Sequence, residues 1–190
     1  MFSFSDRLHA CIRYNPPTEL VKILLDLEPE APACVDVANR TPLHVAVGMH
    51  ANISTIETLV QVYPDACATL DWEGKTPLHL ACDGCCELFE EDEEDKATSK
   101  DDMASTIRTK KPCLETIRTI LNACPLAAVV EDQDGMTALE HAIMSDASFK
   151  IVSLLQSATC RQSMEIRGHV RRMITDGSIL DGVPPKQHSK

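Results

Sequence analysis

Aromatic residues are scarce in this chain, with one Trp, two Tyr and four Phe among 190 residues. A core built around rings is therefore excluded, and burial must rest on Leu, Ile, Val, Ala and Cys. Small and medium side chains of that kind suit short helices packed closely together. Glycine is also sparse, at seven, and never falls in the GxGxxG or P-loop spacing that cradles phosphate. No apolar run reaches the roughly 20 residues that a membrane-spanning helix needs. Positive charge is in deficit: 18 Lys and Arg stand against 29 Asp and Glu, a formal net charge of -11. That balance argues against non-specific attraction to nucleic acid or an anionic membrane, and favours basic partners in a weak, salt-dependent way. The opening Met1-Phe2-Ser3-Phe4-Ser5-Asp6 lacks the charged-then-apolar layout of a secretory signal. The nine cysteines are accordingly expected as free thiols in a reducing compartment, cytoplasmic or nuclear.

What the chain does have is a recurring phrase. Arg40-Thr41-Pro42-Leu43-His44-Val45-Ala46 returns as Lys75-Thr76-Pro77-Leu78-His79-Leu80-Ala81, and again as Met136-Thr137-Ala138-Leu139-Glu140-His141-Ala142. Thr41 and Thr76 lie 35 residues apart, and one further step back reaches Asp6 and a worn copy, Leu8-His9-Ala10-Cys11. Pro29, Pro64 and Pro125 each precede the motif threonine by 12 residues, followed at matched positions by Ala31, Ala66 and Ala127, then Asp36, Asp71 and Asp132. Asn39, Gly74 and Gly135 share the position two before the threonine. Asp with Asn or Gly three residues on predicts a tight turn, since both tolerate positive φ. Thr-Pro then starts a helix, with Thr as N-cap and Pro where its missing N–H does no harm. A second helix precedes each landmark proline, carrying Val21, Leu24 and Leu25, then Ile56, Leu59 and Val60, then Ile117, Ile120 and Leu121 on one buried stripe.

A unit of turn, helix, loop and helix with Thr-Pro-Leu-His-x-Ala after Asp-x-x-Gly resembles the ankyrin repeat, over roughly residues 5 to 158. The resemblance implies an all-α helix-turn-helix solenoid of about four repeats, near 5–35, 36–70, 71–131 and 132–158, within a domain of 1–158. The last copy departs from the motif, with Ala138 for Pro and Glu140 for His, and its Thr–His hydrogen bond is not expected. In the resemblance His44 and His79, with Thr41, Thr76 and Thr137, are structural, tying one repeat to the next.

About 26 residues are inserted in the third unit. Residues 86–111, with the run Glu90-Glu91-Asp92-Glu93-Glu94-Asp95, predict an acidic disordered loop, because like charges repel and cannot bury enough apolar area to offset chain entropy. At the other end, Ile166, Val170, Met173 and Ile174 share a helical face with Arg161, Arg167, Arg171 and Arg172 close by. Residues 159–176 therefore read as a helix that caps the stack or as a basic amphipathic helix for an acidic partner. Residues 177–190 read as a frayed tail.

No catalytic set, metal site or cofactor site emerges. Cys82-Asp83-Gly84-Cys85-Cys86 contains one Cys-x-x-Cys and no second half, so metal and redox readings rest on Cys82, Cys85 and Cys86 alone. The ankyrin resemblance instead implies a concave recognition face made of turn tips and the exposed side of each first helix. Carried onto this sequence, that face contains Arg40, Met49, Trp72, Glu73, Lys75, Asp83, Gln133, Asp134, Met136 and Met144. The expected function is a non-enzymatic scaffold, a monomer that binds a protein partner. The alternatives are a regulatory adaptor switched by the acidic loop or the basic helix, and a thiol-dependent redox protein.

Overall fold

The structure is a computed structural model that describes residues 4–84 and 112–175. The 86–111 insertion and the 177–190 tail lie outside those residues. Eight α-helices are described: α1 (Phe4–Arg13), α2 (Thr18–Leu27), α3 (Pro42–Gly48), α4 (Ile53–Val62), α5 (Pro77–Cys82), α6 (Leu114–Ala123), α7 (Ala138–Met144) and α8 (Phe149–Thr175). The odd-numbered helices touch one another in chain order, and so do the even-numbered ones. Two rows of helices result, which is the all-α repeat stack expected from the sequence.

The core lies between the rows. Val21 and Leu25, Ile56, Leu59 and Val60, and Ile117, Ile120 and Leu121 are all buried, so the stripe read from the sequence is the packing face of the outer row. Leu8, Leu43, Leu78 and Ala138 meet it from the inner row. Each fully buried Leu or Ile contributes about 1.5–3 kcal/mol. Short 3₁₀ turns follow the outer helices, over Ala31–Ala33, Pro64–Ala68 and Pro125–Val129, and Pro29 stands two residues before the first. Pro64 and Pro125 open theirs, and the matched Ala31, Ala66 and Ala127 are buried.

Histidines join the layers. In the second unit, His44 Nδ1 accepts the Thr41 backbone N–H at 3.1 Å and lies 2.8 Å from Thr41 Oγ1. A carbonyl can only accept, so the ring proton sits on Nε2 and is donated to Lys75 O, 3.2 Å away in the next unit. His79 repeats the arrangement, with Thr76 N–H at 3.1 Å on one side and the carbonyls of Val130 and Met136 at 3.1 and 3.2 Å on the other. The worn first copy keeps the contact too: His9 Nε2 donates to Arg40 O at 2.9 Å. Arg40, Lys75 and Met136 each stand one residue before the motif threonine, so one register runs through the stack.

The fourth unit solves its cap differently. Glu140 Oε2 accepts both the Thr137 N–H at 2.7 Å and the Thr137 hydroxyl at 2.9 Å, which closes a capping box without histidine. The missing Thr–His bond is thus replaced by a carboxylate of similar reach. The terminal repeat and the capping helix, expected as separate pieces, form the single helix α8. Its first half packs on α6, α7 and the Pro125–Val129 turn, with Thr159 Oγ1 donating to Ala128 O at 3.1 Å and Gln162 buried. From Met164 to Arg172 every residue is exposed.

Candidate binding surface

Three turns, spanning 36–40, 71–75 and 132–136, share one construction. The Oδ1 atoms of Asp36, Asp71 and Asp132 each accept two backbone N–H groups, from the residues two and four positions on, at 2.8–3.0 Å. Asn39, Gly74 and Gly135 take φ of 59°, 73° and 73°, the left-handed conformation that their residue types predict. Each Asp also closes the turn with its own N–H, which donates to Arg40, Lys75 or Met136 O at 2.9–3.0 Å.

The tips are bonded to one another. Trp72 N–H donates to Ala38 O at 3.1 Å, and Gln133 N–H donates to Glu73 O at 3.0 Å, in the same register. Side chains add to the seam: Asn39 Nδ2 donates to Leu70 O at 2.6 Å and Gln133 Nε2 to Trp72 O. Gly74 lies so close to the third turn that a Cβ there would sit 3.0 Å from Gln133 N. The three turns therefore make a continuous strip along one edge of the stack, held by backbone on both sides of Trp72.

The residues assigned to this face from the resemblance divide into two groups. Trp72 is 69% exposed, and Met144, at the end of α7, is 76% exposed. Val37, one residue after Asp36 as Trp72 is after Asp71, is 86% exposed. Glu73, Gln133 and Asp134 are also exposed. Arg40 and Lys75 are not: their side chains are 13% and 18% exposed. Arg40 Nε and Nη2 both lie 2.9 Å from Asp36 Oδ2. Lys75 Nζ lies 2.9 Å from Glu73 Oε2 and 3.6 Å from Asp83 Oδ2. Met49 and Met136 are half-buried, and the Met136 carbonyl is engaged by His79. Both cations of the strip are thus held by its own carboxylates. Burial raises the Asp36 carboxyl, but the Arg40 and Ala38 amides and the Arg40 guanidinium outweigh it and hold it below the usual range.

Sequence reasoning missed one contact. His141 Nε2 lies 2.7 Å from Asp132 Oδ2 and packs edge-on against His79, ring centroids 5.6 Å apart. Burial pushes the Asp132 carboxyl up, and hydrogen bonds from His141, Met136 and Asp134 more than reverse this. The signal lay in Glu140, which frees the neighbouring histidine from the cap.

The thiol readings find little support in geometry. Cys82 is fully buried at the end of α5, and burial pushes its thiol far above the ordinary value, the opposite of an activated nucleophile. Cys85 and Cys86 lie outside the described residues. Among the described residues no group of three or more His, Cys, Asp or Glu could hold a metal ion. No described helix is long and apolar enough to cross a membrane.

Comparison with known families gives one match: the family model for ankyrin repeats, in three copies, covers residues 8–101. No curated protein matches the chain. The fourth unit and α8 lie beyond the matched stretch, yet the same turn and the same histidine register carry the stack into the fourth unit. Ankyrin repeats generally mediate protein–protein interaction. With the motif, the stacking register and the family match in agreement, the chain belongs to the ankyrin repeat family.

Proposed function

We propose that this chain is a non-enzymatic scaffold that holds a protein partner against the strip of turn tips and the adjoining ends of α3, α5 and α7. The observation that carries the reading is Trp72. A large ring is two-thirds exposed on a turn whose backbone is bonded to the turns on either side. A rigidly mounted tryptophan loses little conformational entropy on binding, which is why Trp is enriched among interface hot spots. Val37 on the first turn and Met144 on α7 are further exposed apolar side chains, and Glu73 and Asp134 add exposed negative charge to the second and third turns. The fitting partner presents an apolar side chain flanked by Lys or Arg. Binding of this kind is steered by charge and weakens with salt. The chain acts as a monomer in a reducing compartment, with its described cysteines as thiols.

The test begins with partners captured by the full chain and identified by mass spectrometry. Their affinity is then measured for the wild type and Trp72→Ala. The variant is expected to bind at least about 30-fold more weakly, the 2 kcal/mol that marks a hot spot, with an unchanged melting temperature. Equal affinity would remove Trp72 as the anchor.

A further inference from the structure

We propose that the exposed second half of α8 is a separate docking surface for an acidic amphipathic helix of a protein partner. The buried stripe of α8 does not stop where the stack stops. Leu155 and Gln162 are buried against the fourth unit, and Ile166 and Val170 continue on the same face at i+4 and i+8 from Gln162, each 44% exposed. An apolar stripe that outlasts its own core is a helix face awaiting a partner. Residues 164–172 span about 14 Å at the helical rise of 1.5 Å per residue, long enough to meet two turns of another helix.

Charge selects the occupant. Between 161 and 172 the chain carries four arginines and one glutamate, inside a molecule whose net charge is -11. Arg167 lies beside the Ile166–Val170 stripe on the helical wheel, where flanking charges pair across a helix–helix contact, and Arg171 follows one turn on, farther round the same side. A second copy of the same helix would set arginine against arginine. A lipid surface is the poorer fit, because membrane-surface helices present a wide face of Trp, Phe or Leu and residues 161–175 contain none of these. A helix with apolar residues at i and i+4 and Glu on the flanks satisfies both the stripe and the arginines. The surface is independent of the turn strip, and the two carry opposite charge.

The test uses the full chain and a labelled synthetic peptide of three heptads, with Leu at a and d and Glu at e and g, read by fluorescence anisotropy. We expect saturable binding that weakens as salt is raised. Ile166→Glu/Val170→Glu and, separately, Arg167→Glu/Arg171→Glu are each expected to weaken it at least tenfold, while Trp72→Ala leaves it unchanged. Absence of binding, or binding that neither double variant weakens, would overturn the proposal. So would a wild-type dimer in sedimentation that Ile166→Glu/Val170→Glu converts to monomer, which would make a second copy the occupant. Co-sedimentation with phosphatidylserine vesicles in place of peptide binding would assign the helix to lipid instead.

Discussion

His44 makes two contacts that only a neutral ring with its proton on Nε2 can make together. Its bare Nδ1 takes the Thr41 N–H, and its Nε2–H goes to Lys75 O. Burial lowers its pKa to about 4, against partial compensation from the Lys75 carbonyl and nearby carboxylates. An unfolded histidine titrates near 6.5. Between those values the unfolded chain binds a proton that the folded chain refuses, so stability is full above about pH 6.5 and falls as pH drops toward 4. The total loss is about 3 kcal/mol, 2.5 pH units at 1.36 kcal/mol each. Urea titrations from pH 7 to pH 4 should show this fall, and His44→Gln should flatten it; an equally steep fall in the variant would assign the acid sensitivity elsewhere. The motif histidines were legible in the sequence as structural residues. Their register was not, because a carbonyl leaves no mark in the sequence, and the His141–Asp132 pair went unseen because it joins a turn to a helix nine residues on.

The turns show which local rules survive assembly. Asp-x-x-Gly and Asp-x-x-Asn announced themselves through residue type, since few residues accept φ near 60–73°. Two glycines with the same φ nevertheless sit in different surroundings. A Cβ at Gly135 would meet nothing within 4 Å, whereas one at Gly74 would press on the backbone of the third turn. Gly135→Ala should cost about 1–2 kcal/mol for its backbone conformation alone. Gly74→Ala should cost measurably more, because Gln133 N must move and its bond to Glu73 O is strained. Chemical denaturation of the two variants side by side checks this; equal losses would show that the seam yields without cost. Arg40 and Lys75 could not be sorted from the exposed tip residues by sequence, since their ion pairs depend on how the turn folds back and, for Lys75, on Asp83 eight residues away. The continuity of α8 was more accessible. Between Phe149 and Thr175 there is no proline and only Gly168 to weaken a helix, so nothing called for a boundary near residue 158.

Among the described residues the main contacts of each unit are with its neighbours, so stability is close to a sum of unit and interface contributions. Leu78 is fully buried on α5, which packs against both α3 and α7. Leu78→Ala should cost about 2–5 kcal/mol. Amide exchange should then accelerate most in α5 and α7 and least in α1 and α2. Uniform acceleration through all helices would instead show the stack opening as one cooperative body. This architecture was the most legible level of all, because a 35-residue echo reports order directly. The partner surfaces were the least legible, since they lie where the copies differ and no repetition averages out chance.

Glu140 bears on how layers are joined. A histidine at this position looks both ways, capping its own helix and handing a proton donor to the unit that follows, as His44 and His79 do. A carboxylate caps its own helix and has no proton to hand on. Placing histidine there would give α7 the donor that α3 and α5 carry, one that the backbone of a grafted repeat could accept.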